Sequence, residues 1–307
     1  MRRTTLPHGF FLVFVTILSV AIPSRAQSVS VTTVVTVLGP KFTPPPAISK
    51  DDIAVYEGKQ KREVDSWTPA QGDKASLELA IVIDDADSPD LGIQFNDITS
   101  FIKSQPKTTG VAIFYASNGT VQAASQFSTD HEAVAKALRM PFGRGAAYTS
   151  IYLSLMNLIS GWPVTGARRE VLLLADGIDR FRGDPFSPDV PATVEKAQKA
   201  GIIVHTLFAS GVGRFSRNFY RVSLGQSNLA QLSDGTGGES FFQGTLTPIS
   251  FAPYLQQLET VLKNQFFLKY ATERSKKKGG ELRGFRIHTE QRDVEISHAQ
   301  KAFVPGP

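Results

Sequence analysis

The sequence predicts a doubly wound, mostly parallel α/β sheet with one antiparallel edge strand, flanked by N- and C-terminal β segments. Three observations carry that prediction. Residues 79–83, LAIVI, form an unbroken apolar run that stops on Asp84, as a strand covered on both faces by helices does. From about residue 76 onward, apolar runs alternate with stretches of helical spacing, the pattern of strand–helix–strand units with right-handed crossovers. Asn118-Gly119 stands between the run 111–116 and residues 120–127, and this two-residue hairpin signal turns one edge strand antiparallel.

Ahead of that unit, Arg2 and Arg3, the apolar stretch 10–22 and Ser24-Arg25-Ala26 read as a secretory signal over residues 1–26, cut before Gln27. The stretch is about a dozen residues, short of the roughly 20 that a membrane-spanning helix needs. No stable membrane span is therefore expected after cleavage. Residues 29–38, VSVTTVVTVL, are β-branched and predict a strand, which Gly39-Pro40 and Pro44-Pro45-Pro46 end in a loop. Residues 53–56, a turn at Glu57-Gly58-Lys59 and residues 62–67 predict a hairpin. Together these make an N-terminal β segment over 27–73.

Within residues 74–264 the strands fall at 77–84, 110–116, 170–175 and 201–208. Helical spacing occupies 93–103, 130–139, 150–160 and 190–200. Residues 254–265 close the unit as an amphipathic helix with Leu255, Leu258, Val261 and Leu262 on one face. Beyond it β pattern returns at 266–270, Phe285, Ile287, Val294 and Ile296, a C-terminal β segment over 265–307. Neither β segment alone buries enough apolar surface to stand by itself. The two are therefore expected to pair into one small β domain with the α/β unit inserted between them.

A composition of 41% hydrophobic and 20% charged residues is that of an ordinary globular chain with a sizeable core. The net charge of +5 is partly the leader's, through Arg2, Arg3 and Arg25, so no nucleic-acid partner is expected. The absence of cysteine excludes disulfides, thiolate metal ligands and a Cys nucleophile. The expectation is an exported protein, periplasmic or extracellular, held together by core burial alone.

Asp84, Asp85, Asp87 and Ser88 fall at the C-terminal end of the first parallel strand, where open α/β sheets place their ligands. Thr149, just ahead of a helix, and Asp176-Gly177, after VLLLA, add further oxygen ligands, a set that suits Mg²⁺ or Ca²⁺. In order and context these segments resemble the von Willebrand factor type A domain with its metal-ion-dependent adhesion site, over residues 76–264. The resemblance implies Asp84 and Ser88 as the first Asp and last Ser of D-x-S-x-S, Thr149 as the family Thr, and Asp176 as the Asp of a T-D-G-type turn. It further implies Mg²⁺ (or Mn²⁺ or Ca²⁺) held by Asp84, Ser88 and Thr149, with Asp176 acting through water and a position open to an acidic side chain of a partner protein. Ala86 replaces the middle Ser and removes one hydroxyl. Asp87 or Asp85 could supply a carboxylate instead, a water could fill the place, or the domain keeps its fold without the ion.

The flanks, DDIAVYEGKQKREVDSW before the unit and NQFFLKYATE onward after it, resemble the exported von Willebrand A-related proteins abundant in Acidobacteria. That likeness implies architecture and export rather than an activity.

Arg180 and Arg182 follow the fourth strand, and Arg214, Arg217 and Arg221 interleave with Phe215, Phe219 and Tyr220 after the fifth. These loops are expected to form a basic, aromatic rim for an acidic protein surface, with a plain solvated loop as the alternative. A third arrangement puts one Arg in the place of the ion itself. Arg182-Gly183-Asp184 and Asn118-Gly119-Thr120 match short recognition patterns by coincidence and by turn chemistry respectively. A haloacid-dehalogenase-type phosphatase, prompted by Asp85-x-Asp87 and Asp176-x-x-Asp179, needs a Lys for the phosphoryl group and a first Asp one residue earlier. The expected function is therefore an exported, non-enzymatic protein-binding module with a degenerate adhesion site. A metal-free structural component of the cell envelope is the alternative, ahead of the phosphatase.

Overall fold

The computed structural model describes residues 28–143, 150–181, 187–212, 217–242 and 244–307. The expected signal segment, Thr149, Arg182, Arg214 and Phe215 lie outside the described residues. Strand β1 (Ser28–Leu38) is followed by β2 (Ile53–Glu57), β3 (Gln60–Arg62) and β4 (Val64–Pro69). The α/β unit begins with β5 (Leu77–Asp84), α1 (Phe95–Ser104), β6 (Thr109–Ser117), β7 (Thr120–Ala123) and α2 (His131–Ala135). It continues with α3 (Ile151–Gly161), β8 (Arg168–Ala175), α4 (Asp189–Ala200), β9 (Ile202–Phe208), α5 (Phe219–Thr236), β10 (Ser240–Phe241) and α6 (Ala252–Lys263). Strands β11 (Gln265–Glu273), β12 (Glu281–Gly284), β13 (Arg286–Thr289), β14 (Glu295–His298) and β15 (Lys301–Val304) complete the chain.

The central sheet runs β10-β9-β8-β5-β6-β7, parallel throughout except for the β6–β7 pair. Numbered within the unit and read from the β7 edge, that order is 3-2-1-4-5-6, the doubly wound arrangement whose direction of winding reverses between β5 and β8. At the β6–β7 hairpin, Asn118 and Gly119 take φ of 52° and 73°, the left-handed pair that a tight two-residue turn requires. The continuity of the β5 run follows from its two covered faces. Leu79, Ile81 and Ile83 pack into one core with residues of α1 and α6, while Ala80 and Val82 pack into another with residues of α3, α4 and α5.

Strand β1 pairs antiparallel with β11 from Ser28↔Glu273 to Thr36↔Gln265, in a sheet ordered β14-β1-β11-β4. Strands before and after the α/β unit thus share one sheet, over a core that includes Val35, Val55, Leu268, Tyr270 and Val304. The stretch 62–67 divides at Glu63: β3 stays with β2, whereas β4 joins β11.

Near the start of β11 lies a buried polar network that apolar periodicity does not reveal. Glu170 Oε2 accepts from His205 Nε2 at 2.8 Å and from Gln265 Nε2 at 3.2 Å, and Arg168 Nη1 reaches Glu170 Oε1 at 3.4 Å and the Leu262 carbonyl at 3.3 Å. The Glu239 backbone N–H donates to His205 Nδ1 at 3.0 Å, which leaves Nε2 as the donor to Glu170. Each charged side chain therefore has a partner, as burial demands, although Arg168 Nε has none among the described residues.

Two helices differ from expectation. Residues 130–139 are helical only over α2, and Arg139 beyond its end reaches a carboxylate described below. Phe219 and Tyr220, expected in a loop, form the first turn of α5, capped by the Asn218 side chain, which accepts from the Arg221 N–H at 3.1 Å. Among the described residues no helix is long and apolar enough to cross a membrane.

Candidate functional site

Asp84 ends β5 and Asp176 directly follows β8, so the two carboxylates sit on neighbouring strands at the switch point of the sheet. Both are oriented in the same way. Oδ1 of Asp84 accepts the N–H of Ala86 at 2.9 Å, and Oδ1 of Asp176 accepts the N–H of Ile178 at 2.9 Å. Each bond closes a local turn of the kind Asp favours.

Gly177 has φ of 72°, and a Cβ there would lie 2.2 Å from the Gly225 carbonyl oxygen. Helix α5 thus rests directly on the turn that carries Asp176. From α3, the Tyr152 hydroxyl donates to the Gly177 carbonyl at 2.7 Å. Two helices hold Asp176 in place.

Between the two carboxylates stands Arg180. Its Nη1 donates to Asp176 Oδ1 at 3.1 Å and to the Ile178 carbonyl at 3.4 Å, and its Nη2 donates to Asp176 Oδ2. The same Nη1 lies 3.9 Å from Asp84 Oδ2, and the Arg180 side chain is only 4% exposed. This corrects the expectation of Arg180 on a solvent-facing rim. Two strand-end carboxylates withdrawn from water require a counter-charge, and the guanidinium four residues along the same loop supplies it. Burial opposes the Arg180 charge, but Asp176, Asp84 and Asp87 more than offset that effect and hold its pKa raised.

Burial pushes the Asp84 carboxyl up to about 6, against the pull of Arg180 and with the help of the Asp176 charge. Asp87 is pushed well above its ordinary value by burial first and by the charges of Asp84 and Asp176 next. Its side chain is fully buried, and neither carboxylate oxygen has a hydrogen-bond partner among the described residues.

The remaining motif residues are otherwise engaged. Ala86 is buried and offers no side-chain oxygen. Ser88 caps the short 3-10 turn Pro89–Gln94: its hydroxyl donates to Asp90 Oδ2 at 3.0 Å and accepts from the Asp90 N–H at 3.3 Å. Asp85, weighed as a substitute ligand, is instead gripped by Arg139 at 2.7 and 2.8 Å. Among the described residues no group of three or more carboxylate or imidazole side chains has the geometry to hold a metal ion. With Arg180 between Asp84 and Asp176 and with Ser88 committed to its own turn, the described residues do not fit the divalent ion as they stand. The two unpartnered oxygens of Asp87 are the one observation that favours it.

Around this centre the loops are fastened to one another and carry apolar side chains outward. The Arg139 guanidinium lies 3.7 Å from the Tyr115 ring centroid and 4.2 Å from that of Phe142. Among the described residues nine large apolar side chains are exposed. Eight of them, Ile93, Met140, Phe142, Phe181, Phe219, Tyr220, Leu246 and Ile249, lie on loops or helix starts at the C-terminal end of the sheet. Arg217 is exposed at the same end. Of these, sequence reasoning named Arg217, Phe219 and Tyr220. The available signal for Phe142 and Phe181 was a lone aromatic set between Pro and Gly, or between two Arg residues.

The fold and its switch-point carboxylates define a doubly wound α/β protein of von Willebrand A and Rossmann-like architecture, flanked by β strands. No protein-family model matches the sequence, and no curated protein matches it. The structure is similar to von Willebrand factor type A from Catenulispora acidiphila, with 11% identity over 83% of this chain and 74% of that one and a TM-score of 0.44. It is also similar to an aerotolerance-related membrane protein from Bacteroides fragilis NCTC 9343, with 12% identity, 61% and 98% coverage and a TM-score of 0.46. A third likeness is to the ArnB paralog VWA2 from Sulfolobus acidocaldarius, with 9% identity, 92% and 76% coverage and a TM-score of 0.38.

Proposed function

We propose that the chain is a non-enzymatic protein-binding module that docks its partner on the C-terminal edge of the central sheet. The observation that carries this reading is the one-sidedness of the exposed apolar side chains: eight of the nine among the described residues share that edge, and only Val164 lies at the other end. Scattered exposed apolar residues need no explanation, whereas a gathered set with aromatics and Arg has the composition of interface anchors.

The burial of most carboxylates at this edge supports an acidic partner. Asp84, Asp85, Asp87, Asp176 and Asp179 are all buried, while Arg217 is exposed, with Asp90 the exposed carboxylate beside Ser88. An acidic partner surface with apolar or aromatic side chains complements that set. The signal-like leader and the likeness of the flanks to exported von Willebrand A-related proteins support a periplasmic or extracellular setting.

Selection of a random peptide display library on the purified protein tests the reading. Enriched peptides should combine Asp or Glu with aromatic residues, lose binding to a Phe142→Ser, Phe219→Ser double variant, and keep it with Val164→Ser. Enriched peptides that bind the double variant as well as the wild type would place docking elsewhere.

A further inference from the structure

We infer that Arg180 is the resident cation of the switch-point site and that the site is complete without a metal ion. The position is decided by the chain itself. The turn after β8 is held by Tyr152 of α3 and by the backbone of Gly225 in α5, and it reverses so that Arg180 returns over Asp176. Both terminal nitrogens of the guanidinium are committed there, to Asp176 and the Ile178 carbonyl, and one of them also faces Asp84 at 3.9 Å.

A divalent ion between Asp84 and Asp176 and this guanidinium are competitors for one place. Positive charges at such separation inside a protein repel strongly. Admitting the ion requires Arg180 to leave a pocket where it is 4% exposed, and to give up charge-assisted hydrogen bonds that water would not replace in kind. Among the described residues the hydroxyl ligands that would help to offset this are missing or spent: Ala86 has none, and that of Ser88 is bonded to Asp90. The inference stands whether or not a partner docks on the surrounding loops, so failure of the docking reading leaves it intact.

Thermal melting and calorimetric titration of the purified protein test it, in chelator and in millimolar Mg²⁺, Mn²⁺ or Ca²⁺, alongside Arg180→Ala, Arg180→Lys and Asp176→Asn. The wild type should melt at the same temperature in chelator and in each ion, and Arg180→Ala should melt lower in chelator. Should Arg180→Ala fail to fold, Arg180→Lys keeps a cation in place and should fold without any response to ions. An ion-dependent rise in wild-type melting that Asp176→Asn abolishes would overturn the inference, as would an Arg180→Ala variant that melts with the wild type.

Discussion

Arg180 and Asp176 are four residues apart in one loop and share two hydrogen bonds, Nη1 to Oδ1 at 3.1 Å and Nη2 to Oδ2, with both side chains nearly withdrawn from solvent. In a helix such spacing makes a surface pair of small worth. Here it closes a turn beneath two helices, and the guanidinium ends beside Asp84 on the neighbouring strand. The pair therefore belongs to the core of the switch point, and its loss should be felt there.

Replacing Asp176 by Asn keeps the shape but leaves the buried guanidinium without its principal carboxylate. Breaking a buried pair in this way costs about 3–5 kcal/mol. Urea unfolding of Asp176→Asn should show a midpoint lowered by a corresponding amount with an unchanged slope. A loss below about 1 kcal/mol, the worth of an exposed pair, would mean that the loop opens to water in solution.

Stability should fall as pH rises through the window set by Asp84. Its carboxyl goes from an ordinary 3.8 to about 6, so between those values the folded chain holds a proton that the unfolded chain has released. Below 3.8 both states are protonated and the group contributes nothing; above about 6 a constant penalty of roughly 3 kcal/mol remains. Asp87, also raised, extends the same slope upward. Denaturation at a series of pH values should show this fall, and Asp84→Asn should flatten the part between 4 and 6. An Asp84→Asn profile that falls across that window in step with the wild type would contradict the burial of Asp84.

Gly177 should tolerate no side chain. Its left-handed φ alone costs an L-residue about 1–2 kcal/mol, and the Cβ would collide with the Gly225 carbonyl at 2.2 Å. A Gly177→Ala loss of roughly 2–5 kcal/mol is expected once overpacking is added. Gly201 has φ of 65° but open space around its Cβ position, so Gly201→Ala should lose only about 1 kcal/mol. Equal losses at the two positions would refute the contact between α5 and the turn.

The fork between Arg139 and Asp85 should order residues 140–143. Besides Arg139, Asp85 accepts the Phe142 N–H at 3.3 Å, and its backbone carbonyl accepts the Gly143 N–H at 2.9 Å. Arg139→Ala leaves a buried carboxylate short of its cation and should cost about 1–3 kcal/mol. The lower end is expected, since the guanidinium is 31% exposed and solvent screens it. Hydrogen exchange at Phe142 and Gly143 should speed up in that variant, while amides in β5 should keep their protection. Exchange unchanged at the two loop amides would show that the fork does not order the loop.

Several elements could be read directly along the chain. Leu77–Asp84 is a strand with the expected limits, because an apolar run ending on carboxylates has only one physical use in a doubly wound sheet. The Asn118-Gly119 hairpin and the buried face of α6, Leu255, Leu258, Val261 and Leu262, were equally legible, since both depend on neighbours close in sequence. Glu170 and His205 were not, because their partners come from Gln265 and Glu239, far along the chain. The end of α2 at Ala135 was not legible either, since no Gly or Pro stands there to mark it, and the partner of Arg139, Asp85, is far along the chain.

The sequence by itself determined the doubly wound class and placed Asp84 and Asp176 at the carboxyl ends of strands, through periodicity and turn chemistry that act over a few residues. Whether Arg180 faces solvent or Asp176, whether Ser88 serves an ion or its own turn, and whether Asp85 belongs to the centre or to Arg139 were decided only by the tertiary structure. Each of those choices is between two partners for one polar group. The winner is set by which partner the packing of α3, α5 and the neighbouring strand brings within hydrogen-bond reach once water is excluded.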